Sequence, residues 1–504
     1  MSPDEFRTLG HRAVDFIVDY MRSIEQFPVL SQSRAGDTAA AIPSHPPEDA
    51  LTEWDEVFAD LTRTILPGLT HWQSPNFFAF FPCSASGPGI IGEILSAGLN
   101  VNGMLWATSP AATELETRVL DWMAEMLDLP EAFRSEGGTG GGCIQGTASE
   151  STLIALLAAR QRVISTFGKD GKCQSPVPPG SPTGSDPHLT LYASTQAHSS
   201  IIKAAMITGL ARTPEDRTHL RLIGTNADHA MRPDLLEKAI REDLAAGRVP
   251  AYVCATVGTT SSTAVDPVMA VAQVIRDTGA AKRGCWLHVD AAHSGAACIC
   301  PEFRPMLDGV EFADSLCFNP HKWLLTNFDC DCFWTRDRAA LVSALSISPE
   351  YLRNQATQSG QVIDYRDWQI PLGRRFRALK LWLVIRHYGT EGLRAHIREH
   401  VRLAELFESW VRADSRFELA APRTVNLVCF RLKGDGSAAD GRNRSLMDRL
   451  NASGKLYLTH TSLPDVHGVS RIVLRMAIGS TATQERHVRA AWDLIRQAAA
   501  DASC

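Results

Sequence analysis

The chain has 504 residues, of which 44% are hydrophobic and 21% charged, and its formal net charge is −6. Such a length exceeds the ~100–200 residues of one typical domain, so a large core with smaller appended modules is expected. Dispersed Lys and Arg on a mildly acidic chain argue against a nucleic-acid partner, and no run of ~18 apolar residues offers a membrane span.

In chain order, Phe6, Leu9, Ala13, Phe16, Ile17, Tyr20 and Ile24 fall at helical spacing and predict an amphipathic helix rather than a signal-peptide core. Residues 31–50, rich in Ser, Ala and Pro, predict a linker or extended arm, and a second helix is expected near Glu53 to Ile65. The segment Glu136 to Arg160, EGGTGGGCIQGTASESTLIALLAAR, reads as a glycine-rich loop feeding a helix. The free N–H groups and positive dipole end of such a helix suit a phosphate, with Ser149 and Thr147 as hydroxyl donors. Neither a Walker A lysine nor GxGxxG spacing is present, which weakens a nucleotide reading, and a Ser-capped turn can also be purely structural.

Residues 166–187, polar and rich in Pro and Gly, predict a surface insertion. From about 190 to 330, HLTLYAS, HLRLIGT, AYVCATVG, CWLHVDAA and SLCFNP are strand-like runs alternating with helical sequence, so a mostly parallel sheet covered by helices is expected. One of these strands ends on Asp290 among small residues, where open α/β sheets bind ligands; a helix cap or a metal ligand would look the same. Another turns at Asn319-Pro320 and presents His321-Lys322-Trp323. Apolar neighbours argue that Lys322 is not a solvated charge, and burial favours the neutral amine that condenses with an aldehyde; a snorkelling pair at a strand end is the plainer alternative.

Beyond Arg374 the character changes to a helix through Ser409, strand-like TVNLVCFRL, a Gly/Asp-rich turn KGDGSAADGRN, a helix, KLYLTH, SRIVLRMAIG and a final helix from Glu485, an α+β module. The twelve cysteines favour reduced thiols in a cytoplasmic compartment. Cys298-x-Cys300 and Cys330-x-Cys332 look like metal half-sites, but no His/Cys partner stands at zinc spacing, so buried structural cysteines and no metal are expected.

Taken together, three segments supply what pyridoxal 5′-phosphate (PLP) requires. A helix start serves the phosphate, Lys322 the aldehyde, and Asp290 the pyridine nitrogen, which must stay protonated for the ring to act as an electron sink.

The motifs HWQSPNFFAFFP, LWATSPAATELE, QAHSS, LHVDAAHSGAACICPEFR, NPHKWLLTNFDCD and DYRDWQIPLGRRFRALKLW extend the likeness over nearly the whole chain. It resembles the group II PLP-dependent decarboxylases, most closely the aromatic-L-amino-acid decarboxylase family. The resemblance implies a PLP fold of the aspartate-aminotransferase type (fold type I), with residues 1–85 an N-terminal helical segment packing on a partner subunit, 86–375 the large PLP-binding α/β domain and 376–504 a small C-terminal α+β domain. It also implies a homodimer with sites at the interface, and decarboxylation of an aromatic L-amino acid to its arylalkylamine.

Carried over by position, Lys322 becomes the Schiff-base lysine, with His321 beside it, and Asp290 the pyridine partner. Thr147, Ala148, Ser149 and Asn319 hold the phosphate or its loop, Ala292 and Thr260 lie against the ring, and His198 stacks on the cofactor. The role of His198 rests on the resemblance alone. Tyr351 falls on the family's catalytic loop, in a polar segment suited to a mobile lid.

Trp72, Phe80, Phe81, Pro82 and Cys83 form the expected substrate wall, with Asn102, Met104 and Gly373. Phe80 and Cys83 stand where animal members usually carry Tyr and Thr, Asn102 and Met104 where they carry Ile and Phe, and His293 where they carry Tyr. Loss of those hydroxyls, and Gly373 where Ser favours smaller rings, lean toward tryptophan or phenylalanine over DOPA. A related aldehyde synthase would replace the loop Tyr by Phe or the stacking His by Asn; a silent scaffold would lose Lys322 or Asp290; a glutamate decarboxylase would want Arg where Phe80 and Phe81 stand.

Overall fold

The computed structural model describes residues 1–50, 53–168, 188–347, 355–358, 362–434, 436–465 and 467–501. Compactness divides the chain into two units: Ser84–Val401 with Ala421–Leu427, and Met1–Cys83 with Arg402–Ala420 and Val428–Cys504.

The larger unit is built on seven strands: β1 (Gly141–Gln145), β2 (Leu189–Ser194), β3 (Leu220–Ile223), β4 (Val249–Thr256), β5 (Trp286–Asp290), β6 (Ser315–Phe318) and β7 (Asp331–Thr335). Their spatial order is β1-β7-β6-β5-β4-β2-β3. Strand β7 is antiparallel to both neighbours, so β1 runs the same way as β6 and as β2 to β5. Successive side chains of β4 pass to opposite faces, Tyr252 and Cys254 into one apolar cluster, Val253 and Ala255 into the other. Both faces are covered by helices, which is why these strands read as continuous apolar runs rather than alternating ones.

The strand-like segments HLTLYAS through SLCFNP are strands, in the mostly parallel α/β arrangement expected. GGCIQ is a correction to the sequence reading: instead of loop it is β1, fully buried and paired residue for residue with β7 from Gly141↔Thr335 to Gln145↔Asp331. Its glycines hid it. A Cβ on Gly142 would lie 2.8 Å from the Trp334 indole nitrogen, so the strand needs bare backbone there.

The smaller unit holds an antiparallel sheet of β8 (Phe417–Leu419), β9 (Leu427–Leu432), β10 (Thr459–Pro464) and β11 (Ser470–Ala477), in order β10-β11-β9-β8. Phe407, Phe430 and Trp492 pack edge-to-face in its core. The expected turn KGDGSAADGRN is largely helix, Gly436–Ala452. Asn443 explains this: its side chain takes the Leu432 N–H at 2.8 Å and donates to the Leu432 carbonyl at 3.2 Å, tying polar sequence to β9 as helix. The N-terminal helix, Pro3–Ser23, begins with a capping box between Ser2 and Glu5.

Candidate active site

Because six strands of the larger sheet run in one direction, their carboxyl ends share one edge, and five of them lead into residues singled out above. β1 leads to Thr147, Ala148 and Ser149; β2 to His198; β4 to Thr260; β5 ends on Asp290 with Ala292 beyond; β6 passes to Asn319, His321 and Lys322. Residues spread over 175 positions of sequence, from Thr147 to Lys322, therefore converge on the edge where open α/β sheets bind ligands.

At the end of β1 the turn is tight. The Gly146 N–H donates to Glu150 Oε2 at 2.6 Å, and a Cβ on Gly146 would stand 2.7 Å from that oxygen, so a larger residue would push the carboxylate aside. The helix Ala148–Gly168 starts immediately after, with the Thr147 carbonyl accepting the Glu150 N–H at 2.9 Å. N–H groups in a first turn have no carbonyl one turn earlier within the helix, and with the dipole they attract an anion. Ser149 is exposed beside them.

Asp290 is 5% exposed, and its Oδ1 accepts the Ala292 N–H at 3.1 Å. His288 shares its face, being two residues back on β5. Its Nδ1 lies 2.8 Å from Ser315 Oγ, and burial lowers its pKa to about 4 against the opposing pull of Asp290. His198 is exposed, and its Nδ1 accepts the Ser200 N–H at 3.2 Å. Its pKa is lowered first by desolvation, with Asp290 opposing and Lys322 adding to the decrease, so both groups sit within electrostatic reach of His198.

Lys322, half-buried, lies on the short helix Pro320–Trp323 between two fully enclosed aromatic side chains, His321 and Trp323. Its N–H bonds to the Asn319 carbonyl at 3.0 Å, and its carbonyl accepts the Ser84 N–H at 3.3 Å. His321 Nδ1 lies 2.8 Å from the Cys330 carbonyl, and burial, then the Lys322 charge, pushes its pKa down to about 3. It stays neutral. Leu325 closes the turn at φ +55°, its N–H held by Ser84 Oγ at 3.0 Å.

These groups fit pyridoxal phosphate. An anion-attracting helix start with an exposed hydroxyl, a buried carboxylate and a half-buried amine match its phosphate, ring nitrogen and aldehyde. Asn319 adds a buried Oδ1 that meets no hydrogen-bond partner among the described residues, a polar atom left for a ligand at the same strand end.

The remaining expected residues fall in three places. Asn102 and Gly373 line one cavity of about 280 Å³ with Gly146, Glu150 and Gln369. Asn102 Oδ1 accepts the N–H groups of Met104 (3.2 Å) and Arg374 (2.9 Å), fastening the 102–104 segment to the chain beside Gly373. Trp72, Phe80, Phe81, Pro82 and Cys83 belong to the smaller unit, where Trp72 and Phe80 stack at 5.7 Å and Tyr457 meets Phe80 edge-on at 5.9 Å. Tyr351 lies outside the described residues. His293 is 2% exposed and hydrogen-bonded through Nε2 to Asn426 at 2.8 Å.

Ser84 and His288 were missed in the sequence. His288 carried a signal, its period-two spacing from Asp290 on a strand; Ser84, within CSASG, carried none.

Residues 36–433 match the pyridoxal-dependent decarboxylase conserved domain. The chain is 48% identical to phenylacetaldehyde synthase of Arabidopsis thaliana over 504 residues, covering 99% of this chain and 96% of that protein. It is also 48% identical to tryptophan decarboxylase 2 of Oryza sativa subsp. japonica over 502 residues, covering 99% and 95%. The crystal structure of Oryza sativa TDC with PLP and tryptamine superposes with a TM-score of 0.91 at 45% identity, covering 99% of both chains.

Proposed function

Since the chain belongs to the pyridoxal-dependent decarboxylase family, we propose that it removes CO₂ from aromatic L-amino acids, of the tryptophan, phenylalanine, tyrosine or DOPA type, to leave the arylalkylamine. The observation that carries this reading is the convergence of Asp290, Lys322, His198 and the Ala148 helix start on one sheet edge. The relatives named for tryptophan decarboxylation and phenylacetaldehyde synthesis support an aromatic substrate.

Bound there, the cofactor supplies a conjugated ring that takes up the electron pair left when the carboxylate departs. Lys322 would hold it covalently, and the Asp290 carboxylate would keep a proton on its ring nitrogen. The Thr147–Ser149 turn and Asn319 would hold the phosphate, with Ala292 and Thr260 against the ring and His198 stacked over it. Trp72, Phe80, Phe81, Pro82 and Cys83, with Asn102, Met104 and Gly373, would enclose the aromatic side chain. Tyr351 would deliver the proton to Cα.

The active form proposed is a homodimer with sites at the interface and the N-terminal helix against the partner. Support comes from the helix Gly87–Leu99, whose Ile91, Ile94, Leu95 and Leu99 are 54, 49, 46 and 61% exposed on one face. A cytoplasmic location is proposed too, in keeping with ten free cysteines among the described residues.

A second reading, oxidative conversion to the aromatic acetaldehyde, is favoured by the equal identity to phenylacetaldehyde synthase. Retention of Tyr351 and His198 argues for the amine. Incubating the purified holoenzyme with each protein amino acid and DOPA, and measuring CO₂, amine and aldehyde, tests both. CO₂ released from glutamate but from no aromatic substrate would reject them.

A further inference from the structure

A four-residue helix cannot fix a side chain by its own hydrogen bonds, yet Pro320–Trp323 carries Lys322. The hold must come from its neighbours. On one side of the lysine, His321 is pinned to Cys330. On the other, Trp323 is fully buried and gripped twice. The His293 ring lies flat on the indole, with centroids 5.2 Å apart and planes 10° apart. In the indole plane, Nε1–H donates to Nδ1 of His400 at 2.9 Å, and the two rings are within 2° of coplanar.

We infer that His400 is a positioning residue for the cofactor lysine: by accepting the Trp323 N–H it sets the rotation of the short helix, and so the direction in which Lys322 presents its amine. The bond needs the Nδ1 lone pair, hence a neutral ring with its proton on Nε2. His400 is 2% exposed, and the His396 ring meets it edge-on at 4.4 Å, one helical turn away, so the acceptor is held in a packed setting. Burial, and then His400, hold the His396 pKa well below its ordinary value.

The inference rests on Lys322 being the cofactor lysine, and the test separates the two. Borohydride reduction of the holoenzyme and peptide mapping locate the bound PLP; its appearance on another lysine would overturn that premise and this inference with it. With PLP on Lys322, His400→Phe keeps a flat ring but strands a buried N–H. It should hold PLP about tenfold less tightly, and shift the pH midpoint of the bound cofactor's visible absorbance by about half a unit. It should also lower kcat more than it raises KM. His400→Asn, which returns an acceptor near the Nδ1 position, should restore most of both. Trp323→Phe should match His400→Phe, and the double variant should be no worse than either.

Native PLP affinity and a native absorbance midpoint in His400→Phe, with only a lower Tm, would reduce His400 to packing and overturn the inference. So would additive losses in the double variant, or no rescue by Asn. If His400→Phe does not fold, Trp323→Phe decides: a native absorbance midpoint there overturns it, and a shifted one supports it.

Discussion

The strand-end residues and the residues proposed to enclose the substrate are built in different ways. Asp290 and His321 are 5% and 3% exposed, and each is tied to backbone that flanks a strand of the larger sheet, Ala292 just after β5 and Cys330 just before β7. Trp72 and Phe80 are 38% and 46% exposed, and Asn102 stands on an exposed loop. The first group can hardly move without unpacking β5 or β6. Of the second, Trp72, Phe80 and Asn102 can be exchanged at little cost to the fold, whereas Phe81, 7% exposed, and Pro82 are anchored in it.

Substitutions on either side sharpen this contrast. Lys322→Ala should abolish turnover and leave the cofactor extractable as free aldehyde, while Tm changes little; measurable CO₂ release from that variant would break the assignment of chemistry to the sheet edge. Tyr351→Phe comes next. It should still release CO₂ but divert product toward the aromatic acetaldehyde, ammonia and peroxide under air, so the amine-to-aldehyde ratio is the readout, and an unchanged amine yield removes Tyr351 from the mechanism.

Gly373→Ser should act on selectivity alone. Among the described residues a Cβ there meets only Asn102 Nδ2, at 3.9 Å, so the fold accepts the hydroxyl, while an indole loses room. Tryptophan use should fall about 10–200-fold relative to tyrosine; equal losses would show that Gly373 does not read ring size.

The smallest effect belongs to the buried side and concerns pH. His288 titrates at about 4 in the fold and near 6.5 when unfolded, so between those values the unfolded chain binds more protons. Stability is complete above pH 6.5 and is lost as pH falls toward 4. Removing the imidazole with His288→Asn should flatten this acid limb by about 1.4 kcal/mol per pH unit. Denaturant unfolding at pH 5 and pH 7 measures it, and an unchanged slope would place the acid sensitivity elsewhere.

Much of the strand-end set was legible because its residues sit in short motifs bounded by apolar runs. Asp290 closes CWLHVD, and Lys322 follows a strand and a turn. The strand β1 was illegible because GGGC has no apolar period; its identity comes from β7, a partner far off in sequence. The helix Gly436–Ala452 was hidden for a similar reason, since Asn443 and Asp440 stabilise it by bonds to Leu432 and Ile472 rather than by local propensity. His400 lies in a long helix where His396-x-x-x-His400 suggests only a shared face, and nothing in that spacing points to Trp323.

Strand β1 has a bearing on how the protein is born. It lies at the sheet's edge, and among the described residues its only strand neighbour is β7, the last strand of that sheet to leave the ribosome. Until Asp331–Thr335 has been synthesised, the turn at Gly146 and the helix start at Ala148 have no strand to seat them, and the clasp of Trp323 by His400 comes later still. A nascent chain therefore cannot complete the pocket around its sheet edge before β7 has been made and paired with β6 and β1.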